Sequence, residues 1–171
     1  MKEMLKPVIV LTIICIITSG LLGATYNVTA PLIAESEKRA SDAAMEEVLP
    51  AATAFTEVQV DNIEGLLLAA KDENGAGWAF KVQDKGFGGA YVIMVGISSD
   101  GTITGTKLLD NAETPGLGSK TGMPSFTEQF IGQNNELEGV ETITGATISS
   151  KAFIRAVGTA YTAFEAVGEG A

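Results

Sequence analysis

The residues from Val8 to Val28 form an unbroken run without a single charge, and this run limits what the rest of the chain can be. As a helix it spans about 32 Å, enough to cross the hydrocarbon core of a bilayer. Its first part, VIVLTIICIITSGLLGA, is rich in β-branched residues, which lipid tolerates in a helix. Lys2 and Lys6 precede it, which predicts a cytoplasmic N-terminus and an exported body. Lys38 and Arg39 lie beyond the other end, but Glu35 and Glu37 stand beside them and they are further from the membrane. A cleavable signal peptide is the alternative. Its small-x-small site, Val28-Thr29-Ala30, is followed by Pro31, and Cys15 lacks a lipoprotein context. The run is therefore read as an uncleaved anchor. The expected organisation is a cytoplasmic N-terminus (1–6), one transmembrane helix (7–28), a helical stalk (29–50) and an extracytoplasmic domain (51–171).

Composition excludes several kinds of chemistry. With 11 basic and 21 acidic residues the chain carries a net charge of −10, which repels nucleic acid and anionic lipid headgroups. No nucleic-acid partner is expected, and any membrane contact must be hydrophobic. The sequence contains no histidine, so a Ser-His-Asp triad, a Cys-His pair and a His-ligated metal site are impossible. One cysteine, Cys15 in the apolar run, rules out an intrachain disulfide and a thiolate metal cluster. No metal site and no catalytic side chain are assigned. The economical source of chemistry is a bound cofactor.

Beyond the anchor, Leu32 to Leu49 reads as an amphipathic helix ended by Pro50, with Ile33, Ala40, Ala44 and Val48 on its apolar side. This is a stalk, or equally the first helix of the domain. Strand patterns follow at Gly65–Ala70 and Trp78–Val82, with a turn at Asp72-Glu73-Asn74-Gly75. Ala90–Ile97 is apolar throughout and reads as a strand buried on both faces. Ser99-Asp100-Gly101 turns it into Thr102–Leu109. Lys85-Gly86-Phe87-Gly88-Gly89 misses the dinucleotide-binding spacing and is read as a bend. Asp110–Thr121 is an aperiodic loop. A short helix opens at Pro124 with Phe126, Phe130 and Ile131 on one face, and Val140–Ile143 suggests a further strand. A final helix from about Ile148 to Val167 packs through Phe153, Ala156, Val157, Ala160, Tyr161, Phe164 and Val167. The fold class is α+β: one transmembrane helix followed by a single mixed α/β domain.

Two stretches are candidates for a site. Thr144-Gly145-Ala146-Thr147 precedes the final helix, whose unsatisfied N–H groups and dipole favour an anion. Gly145 and Ala146 leave the Thr147 hydroxyl accessible, with Ser149, Ser150 and Lys151 close by. By these residues alone a plain helix cap is the preferred reading. The loop Glu113-Thr114-Pro115-Gly116-Leu117-Gly118-Ser119-Lys120 has a Pro-Gly turn at Gly116. Gly118 would let backbone approach a flat ligand, and Leu117 could contact a ring face. Lys120-Thr121 lacks the preceding glycine of a phosphate-binding loop, so nucleotide hydrolysis is rejected. Asp110, Glu113 and Glu141 are read as solvated acids, and Trp78, Tyr91 and Phe87 as core residues rather than a flavin pocket.

The anchor, GFGGAYVIMVGISSDGTITG, ETPGLGSK and ETITGATISSKAFIRAV, in this order, resemble the FMN-binding G subunit of the Rnf ion-translocating ferredoxin:NAD oxidoreductase. The C subunit of the sodium-translocating NADH:quinone reductase is a similar protein. The resemblance covers roughly residues 5–167. It implies an electron carrier whose FMN is joined through its phosphate to Thr147 by a flavin transferase, with Thr144, Gly145 and Ala146 as recognition context. It also implies that Thr114 and Leu117 border the isoalloxazine, within a loop that includes Gly116, Gly118 and Lys120. Glu141 stands where the family's transferase motif usually has aspartate, and Asn111 where its loop often has histidine. The implied partners are other subunits of a membrane complex, in a bacterial or archaeal cell membrane, coupled to Na⁺ or H⁺ transport. Two alternatives are the quinone-reductase C subunit and a non-catalytic membrane-tethered assembly or binding module.

Overall fold

The computed structural model of the chain describes residues 2–168; Met1 and residues 169–171, the ends of the first and last expected segments, lie outside the described residues. The chain divides into two compact units, one ending at Arg39 and the other beginning at Ala40. Helix α1 (Lys2–Val48) supplies the first unit and the opening turns of the second.

In the first unit every side chain from Leu5 to Val28 is exposed, and the apolar window reaches a mean hydropathy of 2.4. The hydroxyls of Thr12, Thr18, Thr25 and Thr29 each donate to the carbonyl four residues earlier. Their polarity is thus satisfied inside the helix, as an apolar surround demands. Pro31 removes one backbone donor without ending the helix.

The second unit is built on an antiparallel meander of β1 (Phe55–Val58), β2 (Leu66–Asp72), β3 (Gly77–Lys85), β4 (Ala90–Ser98) and β5 (Ile103–Asn111), adjacent in sequence order. β4 is buried along nearly its whole length, as its unbroken apolar run predicts. One sheet face carries Phe80, Val82, Tyr91, Ile93 and Val95 against Phe153, Ala156, Val157 and Ala160 of α3 (Thr147–Gly168). Each large side chain buried here contributes about 1.5–3 kcal/mol. The opposite face packs Ala70, Ala79 and Met94 against Ala44, Met45 and Val48 at the end of α1. The result is three layers, helix on sheet on helix, and an α+β class.

Three local departures from the sequence reading have clear causes. β1 is an edge strand whose middle two side chains are exposed, so it shows no apolar alternation. Val140–Ile143 forms no strand. Its backbone bonds to side chains instead, Glu141 N–H to Gln129 Oε1 at 2.9 Å and Ile143 N–H to Ser150 Oγ at 3.0 Å. In the short helix α2 (Pro124–Thr127) and the 3₁₀ turn after it, Phe126 and Phe130 are buried edge-to-face with centroids 5.5 Å apart. Ile131 is 54% exposed, because the helical path ends at Phe130 and Ile131 adopts an extended conformation.

Candidate functional site

The backbone just before α3 is set by Gly145 and Ser150. Gly145 has φ +82°, a left-handed conformation that turns the chain into the helix and that glycine adopts without strain. Ser150 Oγ accepts Ile143 N–H at 3.0 Å and donates to Ala146 O at 3.0 Å, so this serine fastens the turn. Thr147 is the first residue of the helix and is exposed, and its hydroxyl makes no hydrogen bond among the described residues. It is therefore not acting as a cap. The N–H groups of Thr147, Ile148 and Ser149 open the helix, where no intrahelical acceptor reaches them.

The loop after β5 meets this turn. Leu117 N–H donates to Thr114 O at 3.1 Å and Gly116 N–H to Ser119 Oγ at 2.9 Å, closing the Thr114–Ser119 turn. A 3₁₀ helix, Gly118–Gly122, follows. Gly118 lies so close to the start of α3 that a Cβ there would stand 2.4 Å from Glu113 Oε2 and 2.6 Å from Ser149 Oγ. A Cβ on Gly145 would stand 3.8 Å from Leu117 Cδ2, so the leucine reaches across to the turn. Below them, Thr121 Oγ1 donates to Gly118 O at 2.6 Å and so accepts from the buried Tyr91 hydroxyl. Burial pushes that hydroxyl's pKa up to about 12; the Thr121 bond opposes the shift and the Glu113 charge adds to it.

Between loop and helix lies a cleft of about 380 Å³ lined by Phe87, Glu113, Thr114, Leu117, Gly118, Gly145, Ala146, Thr147, Ile148 and Ser149. Of the residues singled out in the sequence, Thr114, Leu117, Gly118, Gly145, Ala146 and Thr147 line it together. Thr144, Gly116 and Lys120 are exposed and lie outside the lining, as does Lys151.

Two lining residues depart from the sequence expectation. Phe87 is 70% exposed at the cleft rather than in the core, because it sits in the four-residue β3–β4 hairpin, closed by Gly86 N–H to Gly89 O, with no sheet to pack on. Glu113 is only 8% exposed rather than solvated, since Oε1 accepts Phe87 N–H at 2.7 Å. Adjacent glycines around an aromatic, opposite an acid that opens a glycine-rich loop, were the available signal. Trp78 stacks on Phe80 away from the cleft, at 6.1 Å between centroids.

The donor set fits a flavin mononucleotide. Phe87, Leu117 and Ile148 offer apolar contact for a planar ring, while a free hydroxyl and unsatisfied helix-start N–H groups suit a phosphate. The second unit is an FMN-binding domain: residues 86–162 match the family of that name, and residues 1–48 match the RnfG N-terminal region. The chain is 30% identical to the G subunit of the ion-translocating oxidoreductase complex of Methanosarcina acetivorans, over 91% of this chain and 92% of the relative. It is 28% identical to the G subunit of the proton-translocating ferredoxin:NAD(+) oxidoreductase complex of Clostridium ljungdahlii, over 86% of this chain and 84% of the relative. The crystal structure of Shewanella oneidensis NqrC resembles it at 19% identity and TM-score 0.49, over 60% of this chain and 62% of that one, less than two thirds of the latter's length. The chain belongs to the family of G subunits of the Rnf ion-translocating oxidoreductase complex, a membrane assembly.

Proposed function

We propose that this protein is an electron carrier whose FMN is esterified through its phosphate to Thr147. The observation that carries the reading is the Thr147 hydroxyl: accessible, without a hydrogen bond, at the helix start that lines the cleft. Thr144 is also exposed but lies outside the lining, which favours Thr147. FMN supplies one- and two-electron redox chemistry when bound.

The chain's own groups have separable tasks. The N–H groups of Thr147, Ile148 and Ser149 would hold phosphate oxygens, with the helix dipole adding to the attraction. Leu117 and Thr114 would border the ring, and Phe87, held beside that loop, would add apolar contact. A threonine hydroxyl with no base beside it is a weak nucleophile, so the ester requires a flavin transferase. A covalent link prevents loss of the cofactor where none is replenished. That consideration, with Lys2 and Lys6 ahead of the apolar run, supports an extracytoplasmic domain on a single-pass anchor. Its electrons would pass between other subunits of a complex coupled to Na⁺ or H⁺ movement.

In-gel flavin fluorescence of the chain co-expressed with a flavin transferase tests the attachment. The unmodified chain and Thr144→Ala should fluoresce after denaturation and Thr147→Ala should not. A fluorescent Thr147→Ala chain would remove the assignment.

A further inference from the structure

Glu113 has one carboxylate oxygen committed and one open. Oε1 accepts Phe87 N–H at 2.7 Å, and the residue's own N–H donates to Asn111 Oδ1 at 3.1 Å. Oε2 makes no hydrogen bond among the described residues. Yet among those residues no sealed side-chain oxygen lacks a partner, so Oε2 is not sealed, and it stands against Gly118, which lines the cleft with Glu113.

No lysine or arginine among the described residues pairs with this carboxylate; Arg39, Lys107 and Arg155 pair instead with Glu35, Glu47 and Asp84. Acids as enclosed as this one, at 8% exposure, are ordinarily paired, because desolvating an uncompensated charge is costly. The brace to Phe87 needs one oxygen and no charge, since a neutral amide oxygen would also accept that N–H. The second oxygen and the charge are left facing the space where a flavin would lie. FMN brings N–H and O–H donors on its ring and ribityl chain.

We propose that Glu113 positions the flavin and sets its potential: Oε2 accepts a hydrogen bond from an N–H or O–H of FMN, and the uncompensated charge holds the potential down. Electron gain places negative charge on the flavin, and a fixed negative charge facing it opposes that gain. A charge so enclosed is screened little by salt, unlike one on the surface. The inference rests on FMN occupying this cleft.

The test is a redox titration of the FMN-loaded full chain, at low and high salt, beside Glu113→Gln and Asp110→Asn. Glutamine keeps the size and an oxygen for Phe87 N–H while removing the charge. Asp110 is a nearby exposed acid and controls for overall charge. Glu113→Gln should shift the potential to more positive values, and the shift should persist at high salt. Asp110→Asn should shift it less, and that shift should vanish at high salt. An unchanged or more negative potential in Glu113→Gln, or a shift that salt abolishes, overturns the inference while leaving FMN attachment intact. An unmodified chain that takes up no FMN overturns both.

Discussion

The backbone N–H of Phe87 donates to Glu113 Oε1 at 2.7 Å, and this bond joins the β3–β4 hairpin to the loop that follows β5. The two segments are 26 residues apart in sequence, and together they form one wall of the cleft. Glu113→Ala leaves a backbone donor unpaired and frees the hairpin tip. It should cost about 1–3 kcal/mol in denaturant unfolding, whereas Glu113→Gln should cost much less. Equal losses in the two variants would show that the N–H bond is not what the side chain contributes.

Gly96 and Gly105 face each other across β4 and β5, and the end of α1 rests on both. A Cβ on Gly96 would stand 2.2 Å from Val48 O, and one on Gly105 would stand 2.9 Å from Val48 Cα. Thr104 Oγ1 also donates to Val48 O. Alanine at either position should destabilise the domain by about 1–3 kcal/mol through overpacking. Because both lift the same carbonyl, the double variant should lose less than the sum. Strict additivity in thermal or chemical unfolding would contradict the shared seat.

These glycines mark where sequence legibility ends. The anchor, the buried β4, the Asp100-Gly101 turn and the stripe of α3 were readable because each is set by local periodicity or turn chemistry. The Gly96–Gly105 seat was not, since a glycine in a strand does not say what approaches it. The same limit hid the environment of Glu113: an acid on a loop reads as solvated until the chain folds a distant N–H onto it. Thr147 was legible as a hydroxyl at a helix start, but not as a hydroxyl left without a partner. That depended on Ser150, three residues on, fastening the turn through Ile143 N–H and Ala146 O without calling on Thr147.

Asp72, the last residue of β2, is buried and accepts N–H bonds from Ala76 at 2.9 Å, Thr53 at 3.0 Å, Asn74 at 3.1 Å and Ala54 at 3.4 Å. The Ala76 bond first, then that of Thr53, holds its pKa below 3.8 despite burial. A lowered folded pKa gives stability that is whole above the unfolded value of about 3.9 and is lost as pH falls through the folded value. Asp72→Asn should therefore be less stable at neutral pH and show a flatter decline in acid. Parallel stability–pH curves would contradict this.

At the alkaline end, burial raises the hydroxyl pKa of both Tyr91 and Tyr161 to about 12. Tyr161 also donates to Gly101 O at 2.8 Å. With the folded pKa above the unfolded value of about 10, the contribution is complete below about pH 10 and is lost as pH rises toward 12. Tyr91→Phe and Tyr161→Phe should each flatten the decline over that window. If neither changes the slope, other groups govern alkaline unfolding.

The proposed FMN ester falls on one oxygen atom, Thr147 Oγ1, and peptide mapping by mass spectrometry of the transferase-treated chain tests that placement directly. Trypsin releases the segment from Thr121 to Lys151, which contains both Thr144 and Thr147. This peptide should carry one FMN joined through phosphate, with fragment ions placing it on Thr147. FMN on Thr144, or an unmodified peptide from a chain that has been exposed to an active transferase, would contradict it.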